Sequence, residues 1–357
     1  MSTMELDPAQ LFDGFPEPVL LLEEGTVRYR NPAAGRVFPG LREGDRAPEE
    51  LAVPADAEFP IVCTGRVGAR SFRMSVQGVG REGLLAVLRP EHEAAAGPGL
   101  EKLALRLRQE TAGLAASLQR LEPAGGESDQ KKREKYLAAA NQGLYRLLRL
   151  ADHLEFADAR DQDLYRPAPL DMAGFCRELF REVESVCAMS GYRFSYETEL
   201  VTLLTVGDEA LLRRLVLSLV SNAMKAAGAG GALGARLAKR RGRAVLTVWD
   251  RGKGLEAEDL ARLFGGEARG VSMDPGEGLG LGLEAVRRIA RLHGGFLMME
   301  GRPEEGLRAV VSLPVQPPEA GVGLRSPAGE YAGGFSPVLV ELSDVLSTRV
   351  FAPEDVN

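Results

Sequence analysis

The chain has 357 residues, of which 45% are hydrophobic and 27% charged, and its formal net charge is −7. This composition is that of a globular protein with room for two or three domains, and the acidic balance argues against general nucleic-acid binding. The chain has three cysteines without metal-ligand spacing and no apolar run of the about 18 residues that a bilayer requires. These features predict a cytoplasmic protein without a membrane span.

The first 92 residues predict an antiparallel sheet. Residues 18–23 and 26–30 show the partial alternation of two strands joined by a tight turn. Asn31 follows as a helix cap, and Pro32 occupies the first position of that helix. This run resembles the opening of a PAS domain, and the resemblance implies a sensor whose pocket holds a small ligand, a cofactor or nothing. The remaining strands are predicted at 59–64, 71–77 and 84–88.

Residues 98–160 predict a helical hairpin. The first helix carries leucines at heptad spacing, and the second carries an apolar seam that alternates by three and four. Two helices cannot bury such seams alone, so the sequence predicts a homodimer in which two hairpins form a four-helix bundle. The seams consist of Leu100, Leu107, Leu114 and Leu121, and of Leu137, Ala140, Leu144, Leu147, Ala151 and Leu154.

Three sequence blocks further along the chain predict an ATP pocket. The first is an amphipathic helix at 209–225 that presents Asn222 and Lys225 on one face. An amide oxygen is a ligand suited to Mg²⁺, and an ammonium group suits a phosphate.

The second block is a strand at 243–249 that ends in Asp250. A carboxylate there is an acceptor for the exocyclic amine of adenine. Gly252 and Gly254 follow in a sharp turn where the backbone approaches a ligand closely. Residues 255–278 then predict a lid over the nucleotide.

The third block consists of Gly278, Gly280, Gly282 and Leu283. It precedes a helix predicted at 284–292, whose free N–H groups and positive dipole end attract phosphate.

In this order the three blocks resemble the ATP-binding domain of sensor histidine kinases, within the superfamily that includes gyrase, Hsp90 and MutL ATPases. The resemblance covers 208–315 and implies an α+β multidomain protein with an α/β sandwich at 165–316. It implies that Asn222 holds Mg²⁺, Lys225 contacts phosphate and Asp250 reads adenine, while the glycines shape the loops.

Two positions depart from the family pattern. Ser218 stands where the hydrolases carry a Glu base and where histidine kinases carry Asn, which argues against a strong hydrolase. The hairpin of histidine kinases carries the phosphoacceptor histidine on its first helix, and here Arg108 stands in its place. Arginine stays protonated and is no nitrogen nucleophile. His153 on the second helix is predicted to be solvated, with a displaced phosphoacceptor as the alternative, and His293 to be structural at the negative end of a helix dipole.

The missing acceptor leaves three functions open. The chain transfers the γ-phosphoryl group of ATP to a protein residue, or it is a nucleotide-gated signalling dimer (a pseudokinase) that acts by binding. A serine kinase of the anti-sigma-factor type is the third, which the PAS-like region and the hairpin disfavour. A response regulator or another signalling protein is the expected partner. Residues 317–357 predict a linker and a tail that packs on the chain's own kinase-like domain.

Overall fold

The largest feature of the fold is a ten-stranded mixed sheet, which helices accompany, so the α+β class is confirmed. The computed structural model describes residues 8–15, 17–47, 61–67, 70–79, 83–90, 100–119, 127–255, 281–302, 304–318 and 335–352.

Five strands of the sheet come from the N-terminal region, in the order β2-β1-β5-β4-β3, and each pairs antiparallel with its neighbour. Asn31 caps α2 as predicted, because its Oδ1 accepts the N–H of Ala34 at 2.8 Å and that of Val19 at 2.9 Å. The elements are α1 (Pro8–Phe12), β1 (Val19–Glu23), β2 (Thr26–Arg30), α2 (Pro32–Val37), β3 (Ile61–Val67), β4 (Arg70–Val79) and β5 (Gly83–Pro90).

A helical hairpin follows, formed by α3 (Leu100–Gln119) and α4 (Glu127–Asp158), which pack against each other. Part of its predicted seam is uncovered in the single chain, since Leu107 and Leu144 are each 39% exposed. The side chain of Leu100 and the whole of Leu121 lie outside the described residues. No helix in the described ranges combines the length and the apolar character that a membrane span requires.

The second half of the sheet runs β11-β12-β10-β9-β7, and only the β7–β9 pair in it is parallel. Two further strands, β6 and β8, form a separate antiparallel pair. The strands are β6 (Ala168–Asp171), β7 (Arg193–Thr198), β8 (Leu204–Gly207), β9 (Ala232–Arg240), β10 (Arg243–Asp250), β11 (Phe296–Arg302) and β12 (Gly306–Pro314).

Three helices pack against this half of the sheet: α6 (Met172–Met189), α7 (Glu209–Ala227) and α8 (Leu281–Leu292). Their apolar stripes and the inward side chains of the strands form one core, so this region has two layers. Fully buried examples from each layer are Leu179, Leu215, Val286, Leu246 and Val311.

The two halves of the sheet are joined by an antiparallel pairing of β3 with β11, in which Cys63 lies opposite Met298. Met298 and Val310 are buried with Met74 and Leu88 of the N-terminal region. The sequence did not predict this contact. The pairing satisfies the backbone groups of two edge strands that would otherwise be open.

The C-terminal tail segment (335–352) packs on α4 and α7. It contains α9 (Pro337–Leu342) and a 3₁₀ turn (Thr348–Phe351). The ring centroid of Tyr145 in α4 lies 5.4 Å from that of Phe335 and 5.2 Å from that of Phe351. The tail segment therefore packs on the hairpin as well as on the kinase-like region.

Arg288 of α8 connects that helix to the end of α4. Its guanidinium donates to the carbonyl of Phe156 at 2.6 Å, to that of Ala159, and to Asp161 Oδ1 at 2.7 Å in the short helix α5 (Asp161–Leu164). A cation at the C-terminal end of a helix is favoured by the free carbonyls and the dipole. This contact sets the position of α8 relative to the hairpin.

Candidate functional site

The helix that carries Asn222 and Lys225 is fixed at its N-terminus by Asp208. The two carboxylate oxygens of Asp208 accept the N–H groups of Leu211 at 3.1 Å and Arg166 at 2.8 Å. Such a cap satisfies a free donor of the first turn. Asn222 and Lys225 lie near the other end of α7, and both are half-buried.

His293 supports the same helix start as a neutral side chain. Its Nδ1 donates to the carbonyl of Ile289 at 2.9 Å, and its Nε2 accepts the N–H of Asp208 at 3.0 Å. Only the neutral imidazole donates at one nitrogen and accepts at the other. Burial lowers the pKa of His293, and the contacts with Ile289 and Asp208 oppose that shift. His293 is therefore structural, as predicted, but it acts as a neutral hydrogen-bond bridge and not as a charge at the end of the helix dipole.

Asp250 is the last residue of β10, and it is 5% exposed. Its Oδ1 accepts the N–H of Gly252 at 2.8 Å, and the carboxylate also accepts from the backbone of Leu307. Burial raises the pKa of Asp250, and these two backbone hydrogen bonds oppose the rise. A carboxylate has about four lone-pair positions, so two amide donors leave it able to accept a further hydrogen bond.

Beside Asp250, two glycines pack so closely against neighbouring backbone that no side chain would fit at either position. A Cβ at Gly252 would lie 2.2 Å from the carbonyl oxygen of Ala226, and one at Gly306 would lie 2.2 Å from that of Asp250. Gly254 has a φ of +65°, which favours glycine. The loop after β10 thus packs directly on the C-terminal turn of α7, beside Lys225.

Substituting Gly252 by alanine is expected to lower the free energy of unfolding by about 1–3 kcal/mol, because the new methyl group forces the loop away from α7. Gly282→Ala is the matched control, since a Cβ there meets no atom of the described residues within 4 Å. Alanine in a helix is about 0.5–1 kcal/mol better than glycine, so the control should be neutral or stabilising. Urea unfolding measures both changes, and equal stability of the two variants would contradict the loop contact.

The third sequence block lies only partly within the described residues. Gly278, Gly280 and the predicted lid lie outside them. The helix begins at Leu281 rather than at 284, so Gly282 is in its first turn and not in a loop before it. The reason is that Leu283, buried at 9% exposure, extends the apolar stripe of α8 by one turn.

Ser218 lies one turn before Asn222 and is 1% exposed. Its hydroxyl has no hydrogen-bond partner among the described residues.

Lys225 contacts the tail segment, which the sequence did not predict. Its Nζ lies 3.7 Å from Asp344 Oδ2. Burial lowers the pKa of Lys225, as does the nearby Arg149, whereas Asp344 opposes the shift. The only sequence signal for this contact was the presence of acidic residues within an otherwise apolar tail.

The prediction that His153 is solvated is wrong. The side chain is buried, and its Nε2 lies 3.1 Å from both carboxylate oxygens of Glu341 in α9. The tail segment covers the face of α4 on which His153 lies. Arg108, by contrast, is exposed on α3.

Within the described parts of the chain, no group of three or more His, Cys, Asp or Glu side chains is arranged to hold a metal ion.

Residues 207–317 match the model of the family described as histidine kinase-, DNA gyrase B- and HSP90-like ATPases. The resemblance to sensor histidine kinases is confirmed by relatives among known proteins.

The adaptive-response sensory kinase SasA of Synechococcus sp. (strain CC9902) is 30% identical over 168 residues, which are 46% of this chain and 43% of that protein. The sensor protein kinase PmrB of Pseudomonas aeruginosa is 29% identical over 195 residues, which are 54% of this chain and 40% of that protein. The chain thus covers less than half the length of both relatives.

Among solved structures, the histidine kinase ThkA in complex with the response regulator protein TrrA matches with a TM-score of 0.47 and 17% identity. The match covers 87% of this chain and 99% of ThkA.

Proposed function

We propose that the chain is a histidine-kinase-type signalling protein of a two-component system that binds Mg²⁺-ATP in the region 165–316. The observation that carries the proposal is the contact of the Gly252 loop with the last turn of α7. It brings a buried carboxylate with spare acceptor capacity close to the helix turn that bears an amide and an ammonium group.

Each side chain has a distinct part in this proposal. Asp250 accepts a hydrogen bond from the exocyclic amine of adenine, Asn222 offers an amide oxygen to Mg²⁺, and Lys225 neutralises phosphate charge. Bound ATP supplies a transferable γ-phosphoryl group whose transfer depends mainly on positioning and charge neutralisation. The proposal also places the residues of the third sequence block beside the phosphates, because they match the glycine-rich motif of the family. These residues are Gly278, Gly280, Gly282 and Leu283.

We further propose that the phosphoryl group is transferred to another protein, with a response regulator as the candidate acceptor. Arg108 is exposed but permanently charged, and His153 is engaged by Glu341, so neither offers a free nitrogen nucleophile. The same two observations favour the second candidate function, a pseudokinase that signals by nucleotide-gated binding.

The N-terminal sheet and the hairpin supply the other two parts of the proposal. The strand order β2-β1-β5-β4-β3 supports a PAS-like sensor. The exposed leucines of the hairpin seam, Leu107 and Leu144, support a homodimer, because a second hairpin would cover them. The cytoplasmic location stays a prediction.

Calorimetry with the full chain tests nucleotide binding. The chain is expected to bind ATP about tenfold more tightly with Mg²⁺ than with EDTA, since metal and nucleotide bind cooperatively. Asn222→Ala should lose this difference while retaining the EDTA affinity. Absence of any ATP binding would refute the proposed function.

Labelling with γ-labelled ATP then separates the two candidate functions. Transfer of label to an added response regulator supports the kinase, and binding without transfer supports the pseudokinase. Stable label on the chain itself that disappears in His153→Ala would contradict the assignment of this residue to the Glu341 pair.

A further inference from the structure

The tail segment occupies a cleft whose walls are α4 of the hairpin and α7 of the ATP-binding region. Its apolar side chains are buried as thoroughly as those of the main core, with Val338, Leu342 and Phe351 at 0–1% exposure. Two amide side chains of α4 bind its backbone: Gln142 donates to the carbonyls of Ser343 and Leu346, and Asn141 donates to that of Phe351 at 3.1 Å. The cleft is therefore a specific binding site for this segment.

The tail segment brings one carboxylate, that of Asp344, into a group of four cations. Arg149 Nη1 lies 2.5 Å from Asp344 Oδ2 and Arg106 Nη2 lies 3.0 Å from Oδ1. Arg146 and Lys225 are each 3.7 Å away. Three of these cations belong to the hairpin and only Lys225 belongs to the ATP-binding region, so Asp344 bridges the two.

The carboxylate of Glu341 makes a second bridge of the same kind one turn earlier. It contacts His153 and Arg149 of α4 at 3.1 and 3.2 Å, and Arg214 of α7 at 3.9 Å. Together with Glu110 of α3, which lies 3.1 Å from Arg106 and 3.8 Å from Arg146, the two tail acids neutralise a positively charged cleft. Without them, cations from both helices would face one another at low solvent exposure, which is unfavourable.

Among these cations, Lys225 also has a part in the proposed function. In the proposed function its ammonium group neutralises nucleotide phosphate, and in the structure the same ammonium group faces Asp344. The Lys225–Asp344 distance is longer than those from Arg149 and Arg106 to the same carboxylate. Lys225 therefore interacts with Asp344 more weakly than these two arginines do. The single ammonium group of this half-buried side chain cannot fully neutralise both the Asp344 carboxylate and the nucleotide phosphate.

We propose that the tail segment is an intramolecular brake, in which Asp344 competes with the phosphates of Mg²⁺-ATP for Lys225. The inference rests on the proposed function, because it presupposes nucleotide at this site. Binding of nucleotide withdraws Lys225 from Asp344 and loosens the tail segment. Docking of the tail segment in turn weakens nucleotide binding by the same factor, as linkage requires.

Nucleotide affinity of the full chain tests the brake. Asp344→Asn removes the competing charge and is expected to tighten Mg²⁺-ATP binding about five- to tenfold, since the binding-competent fraction of the wild-type chain is reduced by docking. Asp163→Asn is the matched control, because that carboxylate is 66% exposed and its ion-pair partner, Arg160, is 4.0 Å away. The control should leave the affinity unchanged.

Hydrogen exchange of the wild-type chain gives a second readout that needs no variant. Saturating Mg²⁺-ATP should increase amide exchange in 337–351 at least about twofold, by reciprocity. Equal affinity of wild type and Asp344→Asn, or exchange in the tail segment that nucleotide leaves unchanged, overturns the inference while the proposed function stands. Failure of both proteins to bind Mg²⁺-ATP overturns the proposed function and the inference together.

Discussion

Replacing Asp250 by asparagine is expected to weaken Mg²⁺-ATP binding about a hundredfold. A hydrogen bond to a charged group contributes about 1.5–3 kcal/mol, and here the acceptor is buried at 5% exposure. The substituted amide keeps one acceptor oxygen but places an NH₂ group where the carboxylate now faces backbone N–H donors of Gly252 and Leu307. Either these donors or the adenine amine then meets a donor in place of an acceptor.

Calorimetric titration of wild type and variant measures this effect. The far-ultraviolet circular dichroism of the variant should match wild type, so that lost binding reports the site and not unfolding. Asp163→Asn again serves as the exposed control. Nucleotide affinity that survives in Asp250→Asn would refute the role of this residue in reading adenine.

Replacing Glu341 by glutamine is expected to lower the free energy of unfolding by about 3–5 kcal/mol, the usual cost of removing one partner from a buried ion pair. The neutral amide would leave Arg149, Arg214 and His153 without their shared carboxylate. Urea unfolding measures the change. Glu182→Gln on the exposed face of α6 is the matched control, and surface changes of this kind stay within about 0.5 kcal/mol.

The stabilisation by Glu341 should also depend on pH. Burial raises the pKa of this carboxyl, but the hydrogen bond and charge of His153 and the charges of Arg149 and Arg214 outweigh it, so the net pKa is about 2. The ordinary value is 4.5. Because the folded-state pKa is the lower one, the contribution is complete above pH 4.5 and is lost as the pH falls towards 2. The stability difference between wild type and Glu341→Gln should shrink through that window, and a constant difference would show that the charge of Glu341 is not responsible.

The sequence anticipated those features that depend on neighbouring residues. The cap at Asn31 and the strand that ends in Asp250 lie where they were predicted, and α7 begins at Glu209 as predicted. In each case a short pattern of capping or alternating apolar residues is sufficient, since the interactions join residues only a few positions apart. The start of α8 was missed by one turn because Gly282 suggests a loop when its buried neighbour Leu283 is not considered.

By itself, the sequence determined the resemblance to a family of ATPases, because the blocks around Asn222, Asp250 and Gly278 are recognised by their order and spacing. Only the tertiary structure decided which groups meet across the chain. His153 and Glu341 are 188 residues apart, and the contact of Arg149 with Asp344 spans 195. Such pairs form because packing of apolar residues seats the tail segment between two helices, and the charges are then brought together by a burial pattern that no local sequence motif contains.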